Sequence, residues 1–143
     1  MSTRKSGGVS RAELRRIALS FPATSEGSSY GKPSFLVAGK FFTRLRSEDD
    51  SLVLIVGSID ERDMLLESDP ALFHITDHYR NYPAVLARRT MIDGASLRGM
   101  LERRWRVIAS KKLVKEYDGG GANHPSSGAR RARATLARKS RRA

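Results

Sequence analysis

The sequence contains no cysteine, a single tryptophan and only 7% aromatic residues, and its 15 acidic side chains are outnumbered by 27 lysines and arginines. Without thiols there is no disulfide framework, no thiolate zinc site or zinc finger, no iron–sulfur centre and no cysteine nucleophile. Long apolar runs are also missing. The longest purely aliphatic stretch, 52–56, is far short of the roughly 20 residues a bilayer-spanning helix needs. At the N-terminus, Arg4 and Lys5 are followed by Ser6, Gly7 and Gly8, where a secretory signal would place its apolar segment. The expectation is a cytoplasmic protein without membrane insertion.

What the sequence does have is positive charge, +12 in total and unevenly spread. Residues 1–8 contribute +2 and residues 119–143 contribute +7, neither segment holding any acid. The intervening body has 18 basic and 15 acidic side chains, a net of +3. The C-terminal segment opens on Gly119, Gly120 and Gly121 and continues through Pro125, Ser126, Ser127 and Gly128 into alanine and arginine. Leu136 is its one large aliphatic residue, so it cannot bury enough apolar area to offset its ordering entropy. The expected organisation is a flexible basic N-terminus (1–9), one folded domain (10–118) and a disordered Gly/Ala/Arg-rich tail (119–143).

In the body, Ser10 and Glu13 have capping-box spacing and introduce a helix over 11–20, with Leu14, Ile17 and Ala18 on one face and Pro22 as its stop. The Ser/Gly-rich 23–32 reads as a loop with at most a short strand. Strands follow at 34–37 and 40–46, joined through Ala38-Gly39 as a tight hairpin, and at 52–56. Ser58 and Glu61 repeat the capping signature for a second helix over 59–67, with Met64 and Leu65 facing inward and Asp69-Pro70 ending it. Two more strands are expected at 73–76 and 84–88. A long last helix over 94–117 carries Leu97, Met100, Leu101, Trp105, Ile108 and Leu113 as its apolar stripe. Helices flanking runs of strands predict an α+β two-layer fold, an antiparallel sheet of about five strands with helices packed on one face.

Several of these residues resemble the MmcQ/YjbR family. The first half has Phe21-Pro22, Glu26-Gly27, Tyr30-Gly31-Lys32-Pro33, Phe35 and Gly39-Lys40-Phe41-Phe42. The second has His78-Tyr79, Tyr82-Pro83-Ala84-Val85-Leu86, Leu97, Trp105-Arg106 and Ala109-Ser110-Lys111. The resemblance spans about 10–115 and excludes the tail. It implies a compact antiparallel sheet, likened to frataxin-like and secretion-chaperone-like folds, and a DNA-binding activity in which two β-hairpin wings contact the duplex. Asn81-Tyr82 stands where many relatives carry His-Trp, and Arg104-Trp105 where they carry Ser-Tyr, marking a divergent branch.

Candidate phosphate ligands in the body are Lys32, Lys40, Arg44 and Arg46 around the hairpin, and Arg88 and Arg89 at the end of the last strand. In the tail they are Arg130, Arg131, Arg133, Arg138, Lys139, Arg141 and Arg142. Alternating arginines on a strand also describe an ordinary solvated face. Glu48, Asp49 and Asp50 form an acidic turn beside these cations, and phosphate would be repelled there. His74, Asp77 and His78 are the one cluster with metal-like spacing, but a strand and a turn separate the histidines and no second cluster completes a ligand set. No phosphate loop, helix-turn-helix or nucleophile–base–orienter set is visible. The reading is therefore a non-enzymatic, cofactor-free DNA-binding protein that binds mainly through electrostatics. A protein-interaction module using the sheet face or edge is the alternative, and a small-molecule binder built on Glu26, Tyr30 and His78 ranks third.

Overall fold

The structure, a computed structural model, describes residues 8–119. Two compact units divide after Ile108. The first contains helix α1 (Arg11–Leu19), strands β1 (Thr24–Ser29), β2 (Lys32–Val37), β3 (Lys40–Arg46) and β4 (Ser51–Ile55), helix α2 (Ile59–Ser68), strand β5 (Phe73–His74), a 3-10 turn (Asp77–Tyr79), strand β6 (Ala84–Arg88) and helix α3 (Gly94–Ile108). The strands form one open sheet in the order β1-β2-β3-β4-β6-β5, antiparallel at each pairing. The α+β antiparallel architecture matches the sequence reading, with six strands rather than about five.

The additional strand is β1, in the segment expected to be a loop. Its residues TSEGSS have little β-propensity, and β2 holds them as its antiparallel partner in register from Thr24↔Val37 to Ser29↔Lys32. Tyr30 and Gly31, with φ of 52° and 77°, turn the chain between them. Ala38 and Gly39, with φ of 49° and 86°, do the same between β2 and β3. Positive φ at both central residues is the turn whose twist matches the flanking strands.

Paired residues of an antiparallel sheet share a face. Phe35, Thr43, Leu45, Leu52, Leu54, Val85 and Ala87 therefore lie on one side, and Arg44, Arg46, Ser51, Val53, Leu86, Arg88 and His74 on the other. A register shift makes Phe42 an extra residue, since Phe35 pairs with Thr43 while Leu36 pairs with Phe41. Phe42 and Thr43 are consequently both fully buried despite being consecutive. Phe42 meets Phe21 edge-on at 5.8 Å, and Phe21 lies 6.2 Å from the Trp105 ring. Trp105 is completely buried, and its indole N–H donates to the Pro22 carbonyl at 2.9 Å. The first face thus holds the core beneath α1 and α3.

Helix α1 is capped as its sequence predicts, Ser10 Oγ accepting from the Glu13 amide at 3.0 Å. In α2, Ser58 Oγ accepts from the Glu61 amide, while the Glu61 carboxylate accepts from the Gly57 amide. The inward side of α2 differs from expectation. Met64 is 67% exposed, and the buried residue of this helix is Arg62. Val9 is buried and bonded to β6's end, its amide donating to the Arg89 carbonyl at 3.0 Å.

The second unit, as described, holds helix α4 (Lys111–Gly119). The single long helix expected over 94–117 is therefore two helices, α3 and α4. Ser110 caps the second one, its Oγ accepting from the Leu113 amide at 3.1 Å. The sequence's short polar interruption at Ser110 supplied a local bond that competes with helix continuation. Residues 120–143, where most of the proposed disordered tail falls, and residues 1–7 lie outside the described residues.

Candidate nucleic-acid interface

On the second sheet face, the period-two alternation of β3 places Arg44 and Arg46 on the same side. Arg46 pairs with Ser51 and Ser51 with Arg88, which sets both arginines in one row across the strands. Carrying the Phe35–Thr43 pairing outward adds Lys32, the first residue of β2, to that row. Neighbouring strands are about 4.8 Å apart, so the row from Lys32 to Arg88 is about 14 Å wide.

The cations of this face are not equally available. Arg46 is the most enclosed, 13% exposed, with its Nε 3.6 Å from Asp49 Oδ1 and 4.0 Å from Glu48 Oε1. Arg88 Nε donates to the Ala71 carbonyl at 3.0 Å. Lys32 is exposed and Arg44 half-exposed, and neither has an acidic partner within ion-pair distance among the described residues. The carboxyl of Glu48 registers this charge. Its own backbone amide is the largest influence holding it below the usual carboxylate range; burial partly opposes this, and Arg46, Lys32 and Arg44 lower it further.

The neighbouring acids of the turn are turned to internal use. Asp50, at φ 56°, receives both arms of Arg89, with Nε and Nη2 each at 2.7 Å. Arg89 Nη1 also donates to the Val9 carbonyl at 2.7 Å. This fork holds the Asp50 carboxyl below its ordinary range. Asp49 faces Arg46 and lies 3.9 Å from His74 Nε2, while His74 Nε2 lies 2.8 Å from Ser51 Oγ. Burial, and then the charge of Arg88, push His74 below its ordinary pKa. The acidic turn is thus largely neutralised from within, Asp50 by Arg89 and Asp49 by Arg46, while the more exposed Glu48 lies at the edge of the cations.

Of the six body residues proposed from sequence, the structure brings together Lys32, Arg44, Arg46 and Arg88. Lys40 sits beside the Ala38-Gly39 turn at the other end of the strands, on the face of its partner Val37, and is exposed. Arg89 is committed to Asp50 and Val9. Arg130, Arg131, Arg133, Arg138, Lys139, Arg141 and Arg142 lie outside the described residues.

Next to the row lies an aromatic turn. The Arg46 guanidinium carbon is 5.8 Å from the centre of the Tyr79 ring. His78 meets Tyr79 edge-on at 4.7 Å and lies 6.2 Å from Tyr82 at a 31° tilt. His78 is exposed and Tyr82 is 55% exposed. Buried Arg62 fixes this turn from beneath, its Nη1 donating to the carbonyls of Tyr79 at 3.2 Å, Arg80 at 2.7 Å and Tyr82 at 3.1 Å.

Other candidate chemistry is not assembled. A shallow groove of about 270 Å³ is lined by residues including Arg11, Glu26, Phe35, Leu45 and Ser47. Glu26 there is paired with Arg15 at 2.6 Å, and Tyr30 and His78 do not line the groove. Asp77 is engaged by Arg80. Among the described residues no three His, Asp or Glu side chains are grouped to hold a metal, and no helix is long and apolar enough to cross a membrane.

Sequence reasoning missed the buried role of Arg62 and the aromatic turn. Arg62 precedes Leu65 and Leu66 by three and four positions, a spacing that places it on their side of the helix and could have revealed it. The family model described as YjbR matches residues 19–107. No curated protein and no solved structure matches the chain.

Proposed function

The chain belongs to the YjbR family, and from that premise we propose that it is a DNA-binding protein acting mainly through electrostatic contacts of its hairpin cations and C-terminal tail. The observation that carries this reading is the set of cations on the second sheet face. Lys32 and Arg44 stand there without acidic partners among the described residues, beside Arg46 and Arg88. Such groups neutralise phosphates and release counterions. Lys40 adds a cation at the opposite hairpin end, and the seven tail cations add charge without sequence preference. Among the described residues the large exposed apolar side chains, Tyr30, Ile59, Met64, Tyr82, Met91 and Val107, lie on turns, loops and helices rather than on strands. That distribution favours a polyanion over an apolar protein partner on the sheet.

The test is binding of labelled duplex DNA by the full chain across a salt series. It compares wild type, a Lys32→Gln/Lys40→Gln/Arg44→Gln variant and a variant with the seven tail cations replaced by glutamine. Removing three phosphate contacts flattens the log–log salt slope by about 2.7, and removing the tail's contacts flattens it further. Glu48→Gln, which deletes an exposed anion beside the row, tightens binding. Absence of wild-type binding at low salt would refute the reading.

A further inference from the structure

We propose that the second sheet face binds single-stranded nucleic acid, a base stacking on the exposed Tyr82–His78 pair while neighbouring phosphates lie along Lys32 and Arg44. The inference rests on the nucleic-acid reading above and adds the strand type and a base contact to it.

Electrostatics alone does not distinguish a duplex from a single strand, but aromatic rings do. A paired duplex keeps its base faces within its own stack, whereas an unpaired base can offer its face to a protein ring. Here two rings present themselves to solvent. Tyr82 is 55% exposed, and His78, also exposed, lies 6.2 Å away at a 31° tilt. They connect without interruption to the cations, since His78 abuts Tyr79 and the Arg46 guanidinium lies over Tyr79. Arg46 in turn shares its sheet face with Arg44. Phosphate ligands and stacking surfaces are therefore consecutive on one side of the molecule, the combination that sequence-tolerant single-strand binding requires.

The backbone that carries the rings is also fixed before any ligand arrives. The segment carrying them is a 3-10 turn followed by a tight bend in which the Tyr82 amide donates to the Tyr79 carbonyl at 3.0 Å. Arg62 holds three of its carbonyls. A ring mounted on such a segment loses little backbone entropy when a base stacks on it. An exposed aromatic pair on a loosely held loop would lack that advantage.

Fluorescence anisotropy with a labelled oligothymidylate and a matching duplex tests the proposal, using the full chain with its natural tail and the tail-neutralised chain. Wild type is expected to bind the single strand more tightly than the duplex. Tyr82→Ala is expected to lose about tenfold in single-strand affinity and to leave duplex affinity unchanged, with Tyr82→Phe restoring it. His78→Ala provides the same comparison should Tyr82→Ala fail to fold, as judged by thermal melting. Unchanged single-strand affinity in the alanine variants, or equal losses on both ligands, overturns the stacking proposal while leaving the electrostatic reading in place. No binding of either ligand by wild type overturns both.

Discussion

Replacing Arg62 with methionine removes a buried guanidinium of which only 8% of the side chain is exposed. Three carbonyls lose a charged donor, but they do not suffer equally. Tyr79's carbonyl retains the Tyr82 amide at 3.0 Å, and Tyr82's retains the Ala84 amide at 2.8 Å. Arg80's carbonyl, the shortest of the three contacts at 2.7 Å, keeps no other donor among the described residues. Leaving the acceptor that faces buried Arg62 unmet costs about 1–3 kcal/mol, and weakening the other two adds to it. Relief from desolvating the guanidinium offsets part of the loss, and methionine fills most of the apolar stem's volume. The ion pair with Asp63 adds little because that carboxylate is 51% exposed. The net expectation for Arg62→Met is a destabilisation of about 2–3 kcal/mol, a large share of a typical total of about 5–15 kcal/mol. Urea unfolding followed by circular dichroism measures it, with an unchanged m-value showing that the native state stays compact. Arg62→Lys, a point charge able to reach one carbonyl at a time, recovers less than half. A methionine variant within about 0.5 kcal/mol of wild type would refute the clamp.

Acid should destabilise the protein through groups with depressed folded-state pKa values, Asp50 and His74 among them. Asp50 is lowered by Arg89 from an ordinary 3.8, so its contribution is present above that value and disappears as pH falls through the folded pKa. His74 is lowered by burial from an ordinary 6.5, so stability declines below 6.5 as the unfolded chain takes up a proton that the native state resists. Stability measured against pH should decline less below neutrality in His74→Gln, and less in the most acidic range in Asp50→Asn, although both variants start lower near neutrality. A wild-type-like slope in both would exclude these assignments. At Ala38, φ of 49° places a β-carbon in left-handed backbone beside Gly39. Ala38→Asn is expected to stabilise by about 0.5–1 kcal/mol, because asparagine tolerates this geometry, and thermal melting reads the gain.

The sequence revealed most of the fold where local signals and packing agreed. Ser10 and Ser58 mark helix starts because their side-chain bonds are local, and the Trp105 stripe reports the core because helical periodicity is regular. Strand β1 was hidden because its pairing energy comes from β2, not from its own serines and glycine. Met64, expected to face inward, is exposed and Arg62 is buried in this helix, because hydrophobicity ranks the residues of α2 without seeing the carbonyls that the turn beyond it would present. The candidate site was legible as a set of charges but not as a surface. Nothing in composition distinguishes Arg89, committed to Asp50, from Arg44, which has no such partner, and the ring cluster becomes visible only once Arg46 and Tyr79 meet.

The bonds between Val9 and Arg89 join residues 80 positions apart. Closing so long a segment forfeits chain entropy before any contact rewards it, so this staple is expected to lock after the sheet has assembled around it. Its strength should consequently appear in how slowly the protein comes apart rather than in how fast it forms. Arg89→Ala would accelerate unfolding while leaving refolding nearly unchanged. The same guanidinium that sequence alone offers to DNA thereby sets the lifetime of the native state.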